Sequence, residues 1–213
     1  MKSKLMFLGA LICLFTIPAA AEDSKVEVFG EYSYLRFNPS LSFVNSRSFN
    51  GGGGGLTFNL NKYFGIKAEL MGYGSTNYTI PAGTVIPNSN GEVTANPITT
   101  QANMFTYLFG PQVTYRTPKV NVFGELLFGG SNSNGYANIA SAFNGVGGNV
   151  ATGTQHPFTM GLGGGLDVKV SKNIAIRPIE LDYILTRYTN PETLTNNQNS
   201  FRYTAGVVFY LGR

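Results

Sequence analysis

The stretch IRPIELDYILTRY, residues 176–188, sets Glu180 and Asp182 two positions apart in a run that is otherwise mostly apolar and aromatic. On an extended strand, residues two apart share a face and lie about 7 Å from one another. Both acids therefore point one way, while Ile179, Leu181, Tyr183 and Leu185 point the other. A strand of this kind has one charged and one uncharged side, and the fold depends on which solvent bathes each.

The same alternation runs along almost the whole chain. It gives eight strands, near 25–37, 49–60, 64–75, 101–116, 120–129, 156–170, 174–188 and 199–211. One parity carries Val26, Val28, Tyr32 and Tyr34, then Leu56, Phe58 and Leu60, and so on to Tyr203, Ala205, Val207, Phe209 and Leu211, with no charge among them. The opposite parity holds Glu27, Glu31, Lys67, Glu69, Glu125, Asp167, Lys169, Glu180, Asp182 and Arg202, interspersed with Gly, Thr, Ser and Gln. Arg177 falls on the apolar parity. A β-bulge at Pro178 would turn it to the charged side, and without one it would reach back to the rim of the sheet.

Three tight polar connections, Asn61-Lys62-Tyr63, Thr117-Pro118-Lys119 and Ser171-Lys172-Asn173, each carry a lysine. Between them lie longer segments rich in Asn, Ser, Thr, Gly and Pro, roughly 38–48, 76–100, 130–155 and 189–199. Short turns on one side and long loops on the other describe an up-and-down meander, and the even strand count puts both termini on the short-turn side. The fold class is all-β, an eight-stranded antiparallel up-and-down transmembrane β-barrel.

Three observations place lipid against the uncharged face, rather than the exchanged arrangement of a soluble ligand-binding barrel. Charged residues are 12% of the chain, about half the roughly 25% of soluble proteins, and the charged parity is mostly Gly and Thr. The loops differ in length between the two ends. The chain also opens with an export signal: Lys2 and Lys4, an apolar core from Leu5 to Ile17, then Ala19-Ala20-Ala21. Residues 1–21 are expected to be a cleaved signal peptide and 22–213 the barrel domain, located in a bacterial outer membrane. Cleavage removes Cys13, the only cysteine, and leaves 13 basic and 11 acidic residues. A net charge of +2 excludes a nucleic-acid partner as the reason for the composition.

In a narrow barrel, acids on the inner parity need partners, and Lys67, Lys169 and Arg202 share that parity. The expected arrangement is a lumenal salt-bridge network filling an interior just wide enough for side chains. The alternative, Glu180 and Asp182 as general acid and base, lacks a positioned nucleophile. The single histidine, His156, has only Thr154 and Thr159 nearby. With one histidine and no cysteine in the mature chain, the carboxylates read as scattered, so no metal site and no cofactor are expected. The glycine runs GGGGG, residues 51–55, and GLGGG, residues 161–165, complete no phosphate-loop pattern. On the lumenal parity they make room for long neighbours.

The segments VEVFGEYSYLRF (26–37), FGIKAELMGYGS (64–75), FGPQVTYR (109–116), GLGGGLDVKVSKNIAIRPIELDYILTRY (161–188) and FRYTAGVVFYLGR (201–213) together resemble the OmpA-like outer-membrane β-barrel domain family, which includes opacity-type surface antigens. The resemblance covers essentially the whole mature chain and implies the barrel fold. It also implies recognition of the last strand by the outer-membrane assembly machinery, although Leu211-Gly212-Arg213 after the terminal aromatics departs from the family pattern. No peptidoglycan-binding domain is expected after residue 213. The expected function is non-enzymatic: envelope integrity, surface-loop interactions, or both. The expected partners are outer-membrane lipids and lipopolysaccharide, with an extracellular ligand reached through loops 76–100 and 130–155. The alternatives are a narrow small-solute or ion channel and, less favoured, a lipid-modifying barrel enzyme.

Overall fold

The computed structural model describes residues 24–38, 46–80, 83, 85–88, 91–94, 98–133, 156–187 and 197–212. The expected signal peptide lies outside these residues, as does most of the expected loop 130–155. The described residues form strands and connections only: β1 Val26–Phe37, β2 Arg47–Asn59, β3 Phe64–Ile80, β4 Val85–Asn88, β5 Gly91–Thr94, β6 Ile98–Arg116, β7 Val120–Ser133, β8 Phe158–Lys169, β9 Ile174–Arg187 and β10 Asn197–Leu211. Eight of them close into a barrel in the order β1-β10-β9-β8-β7-β6-β3-β2, and β4 pairs with β5 as a separate hairpin. Every neighbouring pair is antiparallel. The first and last strands make the closing seam, from Val26↔Leu211 to Arg36↔Phe201. Closure leaves no row of unpaired backbone groups, a condition that hydrocarbon imposes on any sheet it surrounds.

The short connections hold themselves by side chain to backbone bonds. Asn61 Oδ1 accepts from the amides of Tyr63 and Phe64, each at 2.9 Å. Ser171 Oγ accepts from Asn173 and Ile174 at 3.2 and 3.1 Å. Thr117 Oγ1 donates to Val120 O and accepts from its amide at 2.6 and 2.9 Å. Asn, Ser and Thr form such turns because a short polar side chain imitates the missing backbone partner.

The long connection 76–100 is not simply a solvating loop. β3 continues to Ile80 against β6, pairing Thr76↔Ala102 through Ile80↔Ile98, and the β4–β5 hairpin lies beyond. Thr, Tyr and Ile at 76–80 and 98–100 favour extended backbone, and their polar character reads equally as loop when no partner strand is in view.

The uncharged parity faces outward: Leu70 is 55% exposed, Phe109 61% and Tyr115 66%. Most long side chains of the inner parity are buried. One element of it differs from the expectation of a lumen made of Gly, Thr, Ser and Gln, because apolar side chains also point inward. Leu35, Phe49, Met71, Tyr73, Met104, Leu108, Leu127 and Ile184 cluster toward the long-loop end, and Phe29, Ala175, Val208 and Tyr210 toward the turn end. The strand charges lie mainly between these two clusters.

Candidate functional site: the charged layer of the lumen

The layer exists because glycines vacate space on neighbouring strands. A Cβ at Gly55 would lie 2.7 Å from the Phe29 ring, one at Gly165 2.9 Å from the Phe123 ring, and one at Gly206 2.7 Å from Glu31 Cγ. At Gly163 it would collide with Asp182 Oδ1. Large inner side chains therefore lean across a neighbouring strand that offers no side chain of its own.

Three cations organise the layer. Lys67, on β3, donates from Nζ to both oxygens of Glu125 at 3.0 Å and to both of Glu180 at 3.0 and 3.1 Å, with Glu69 Oε2 at 3.3 Å. Arg177, on β9, grips Asp167 through Nε and Nη2 at 2.7 and 3.1 Å, and its Nη1 donates to Glu31 and Glu180 at 2.6 and 2.9 Å. Arg202, on β10, donates from Nε to Asp182 Oδ2 at 2.9 Å and from Nη1 to Glu69 Oε1. The Phe29 and Phe123 rings lie beside both Lys67 and Arg177, with cation-to-centroid distances of 5.0 and 5.7 Å for Lys67 and 5.1 and 4.4 Å for Arg177. The rings present a negative face to each cation and so contribute attraction as well as bulk.

Glu31, Lys67, Glu69, Glu125, Asp167, Glu180, Asp182 and Arg202 thus share one connected network. Two residues assigned to it from the sequence sit elsewhere. Glu27 pairs with Arg116 Nη2 at 2.8 Å nearer the turns, where Asn59 Nδ2 also donates to it at 2.8 Å. Lys169 donates to the Thr117 carbonyl at 3.0 Å, held at the rim by the adjacent turn. The cross-strand register also decides the partner of Arg202. It stands opposite Asp182, so Asp182 takes the direct bond and Glu180 Oε1 lies 3.7 Å from Arg202 Nη2.

Two cations were absent from the charged-parity set. Arg116 lies on the inner parity of its strand, so sorting by position alone identifies it. Arg177 needs the bulge. Leu166↔Ile179 is followed by Val168↔Ile176 on one side of β9, and Thr204↔Glu180 by Gly206↔Arg177 on the other. β9 carries one extra residue at Pro178–Ile179, which brings Arg177 and Glu180 onto the same side despite their odd spacing. Proline fits there because a bulge leaves its missing donor unneeded. Phe29 and Phe123 also lie on the inner parity, but an aromatic residue on either face of a barrel strand carries no label of its own.

The carboxylates converge rather than scatter, contrary to the sequence reading. Oxygens of Glu31, Glu69 and Glu180 lie within 4.8 Å of one another, and so do those of Glu125, Glu180 and Asp182. Cross-strand pairing brings these positions to one level, and Lys67 and Arg177 stand among them. A hard metal ion takes about six to eight oxygens, or octahedral geometry with waters, and here ammonium and guanidinium groups occupy that role. Among the described residues no nucleophile is set up either. His156 is exposed ahead of β8, and Thr159 Oγ1 is buried and turned to the Pro157 carbonyl at 3.4 Å. Above Arg202, toward the loops, a pocket of about 10 Å³ is lined in part by Leu35, Tyr73, Thr106 and Arg202. That is the room of roughly one water.

The model of the outer membrane protein beta-barrel domain family matches residues 7–209. No curated protein matches the sequence. Among solved structures, the neisserial surface protein A aligns at 11% identity with a TM-score of 0.58, covering 90% of this chain and all of that one (100%). The outer membrane protein OprG of Pseudomonas aeruginosa aligns at 11% identity and a TM-score of 0.55, covering 92% of this chain and 100% of that one. At such identities the likeness is one of fold. The chain belongs to the outer membrane protein β-barrel domain family.

Proposed function

We propose that this member of the outer-membrane barrel family is a closed, non-catalytic scaffold that contributes to envelope integrity and carries surface loops for contact with other molecules. The observation behind this reading is the filled lumen. A salt-bridged layer lies between two apolar clusters, and its nine charged side chains, Glu31, Lys67, Glu69, Glu125, Asp167, Arg177, Glu180, Asp182 and Arg202, are all at most 6% exposed. An ion crossing such a layer would have to break bonds that hold the barrel together. The outward band of Leu70, Phe109, Val122 and their neighbours suits lipid chains and the acyl part of lipopolysaccharide. The signal peptide would direct export and be cleaved after Ala21 on translocation, and assembly would follow recognition of β10 by the outer-membrane machinery. Loops 76–100 and 130–155 are the surfaces offered to an extracellular ligand.

Planar-bilayer recording of the purified barrel tests the reading. Closed lumens give a silent bilayer at physiological salt. A steady current proportional to inserted protein, abolished by heat unfolding, replaces the scaffold with a narrow ion channel.

A further inference from the structure

The charges of the layer do not cancel. Six carboxyl groups, on Glu31, Glu69, Glu125, Asp167, Glu180 and Asp182, face three cations, Lys67, Arg177 and Arg202. The remaining neighbours do not close the gap. Tyr73, from β3, and Tyr210, from β10, add phenols; Lys169, from β8, is held at the rim by the Thr117 carbonyl; β2 and β6 contribute Thr57 and Gln112, which do not titrate; and the Glu27–Arg116 pair is neutral in itself. Fully ionised, the layer would carry three uncompensated negative charges among buried side chains, which burial strongly disfavours.

The hydrogen bonds are incomplete as well: Arg202 Nη2 donates to nothing and lies 3.7 Å from Glu180 Oε1, and the acceptors without a donor are more numerous. Three carboxyl oxygens on three different residues accept nothing: Glu31 Oε2, Asp182 Oδ1 and Glu69 Oε2, the last with only the Lys67 ammonium at 3.3 Å. A carboxylate accepts only, whereas a carboxylic acid also donates. Each orphan lies in a group whose carboxyl oxygens are within 4.8 Å of one another. That bound is longer than a hydrogen bond, so a proton on one of these carboxyls reaches a second carboxyl by side-chain rotation.

We propose that the lumenal layer is a proton-binding site, in which three protons shared among Glu31, Glu69, Glu125, Glu180 and Asp182 stay bound at neutral pH and complete its charge balance. Asp167 is outside the shared set because it joins neither group of converging carboxyls and is paired with Arg177 alone. A metal ion is a poorer counter-charge, since Lys67 and Arg177 already stand among the same oxygens. The apolar clusters above and below leave the proton as the ligand that needs no space. Interacting carboxyls this close titrate as one unit rather than as separate residues. In the unfolded chain the same carboxyls titrate near ~4. The folded state therefore holds more protons at neutral pH, unfolding releases them, and stability falls as the pH rises from the unfolded carboxyl range, about 4, until the layer gives up its protons.

Infrared spectroscopy of the folded barrel in detergent at pH 7 reads the state directly, because the carbonyl stretch of a protonated carboxyl is separate from the carboxylate bands. The expected spectrum contains a carboxylic-acid band worth about three groups per chain, six carboxyls less three cations. Glu31→Gln and Asp182→Asn each reduce it by about one group, and urea unfolding in weak buffer releases a matching number of protons. Carboxylate bands alone in the wild-type spectrum overturn the proposal. So does a stoichiometric metal ion that survives dialysis against chelator and leaves on unfolding. The wild-type measurement decides the matter even if neither variant folds, and it does not depend on whether the barrel conducts.

Discussion

Replacing Lys67 with methionine removes one charge and keeps most of the side-chain volume, so the effect reports the ion pairs rather than a cavity. The ammonium is fully buried and lies within 3.3 Å of Glu69, Glu125 and Glu180. Solvent screening gives no relief at such a position, and breaking a buried pair by removing one partner costs about 3–5 kcal/mol. Three acids share the lysine here, so the upper part of that range applies in Lys67→Met, moderated by any proton taken up in its place. The chain has 12 tyrosines and no tryptophan, so urea unfolding of the refolded barrel is followed by tyrosine fluorescence and by the mobility difference between boiled and unboiled samples. Adding Glu125→Gln to Lys67→Met should recover part of the loss, because the pair is then removed as a unit. Exposed Lys119 in a turn supplies the control, with Lys119→Met staying within about 0.5 kcal/mol of the wild type. A Lys67→Met loss no larger than that of Lys119→Met would refute the claim that this lysine ties the layer together.

Arg202→Gln and Asp182→Asn, which remove groups bonded at 2.9 Å, should be non-additive in the same assay by about 0.5–3 kcal/mol, and strict additivity would separate them. Val207→Arg, on the outward face at 38% exposure, should cost about 2–4 kcal/mol near the bilayer midplane. Thr204→Arg, in the lumen, should instead act through overpacking of about 1–3 kcal/mol, partly offset by the surplus of acids beside it. Equal losses that follow side-chain size alone would contradict the assignment of the two faces.

Period-two alternation made the barrel legible because hydrocarbon and lumen demand opposite chemistry at consecutive residues. Leu181 beside Glu180 and Asp182, or Ile66 beside Lys67, carries that contrast in the sequence itself. The turns were legible for a local reason, since Asn61, Thr117 and Ser171 bond to backbone within three residues. What was not legible needed a neighbour. Arg202 could be assigned Asp182 rather than Glu180 only from the β9–β10 register. Phe29 and Phe123 became part of the charged layer only through Gly55 and Gly165 on adjacent strands. The extension of β3 to Ile80 depended on β6 meeting it. Pro178 was an intermediate case: it marked where a bulge would fall but left Arg177 between lumen and rim, and the extra residue shows itself only against Asp167 and Ala205 on the flanking strands.

The seam between β1 and β10 carries a consequence for biogenesis. The segment that completes the cylinder, Asn197–Leu211, is the last of the barrel strands in chain order, and its mate, Val26–Phe37, is the first. No partial chain can reach the finished topology, because every truncation before β10 leaves two raw margins with nothing to zip onto. Closure therefore waits for the last barrel strand. Until then the polypeptide has to be kept from sticking to its siblings, since its outward-facing aromatic stripes have no lipid to enter.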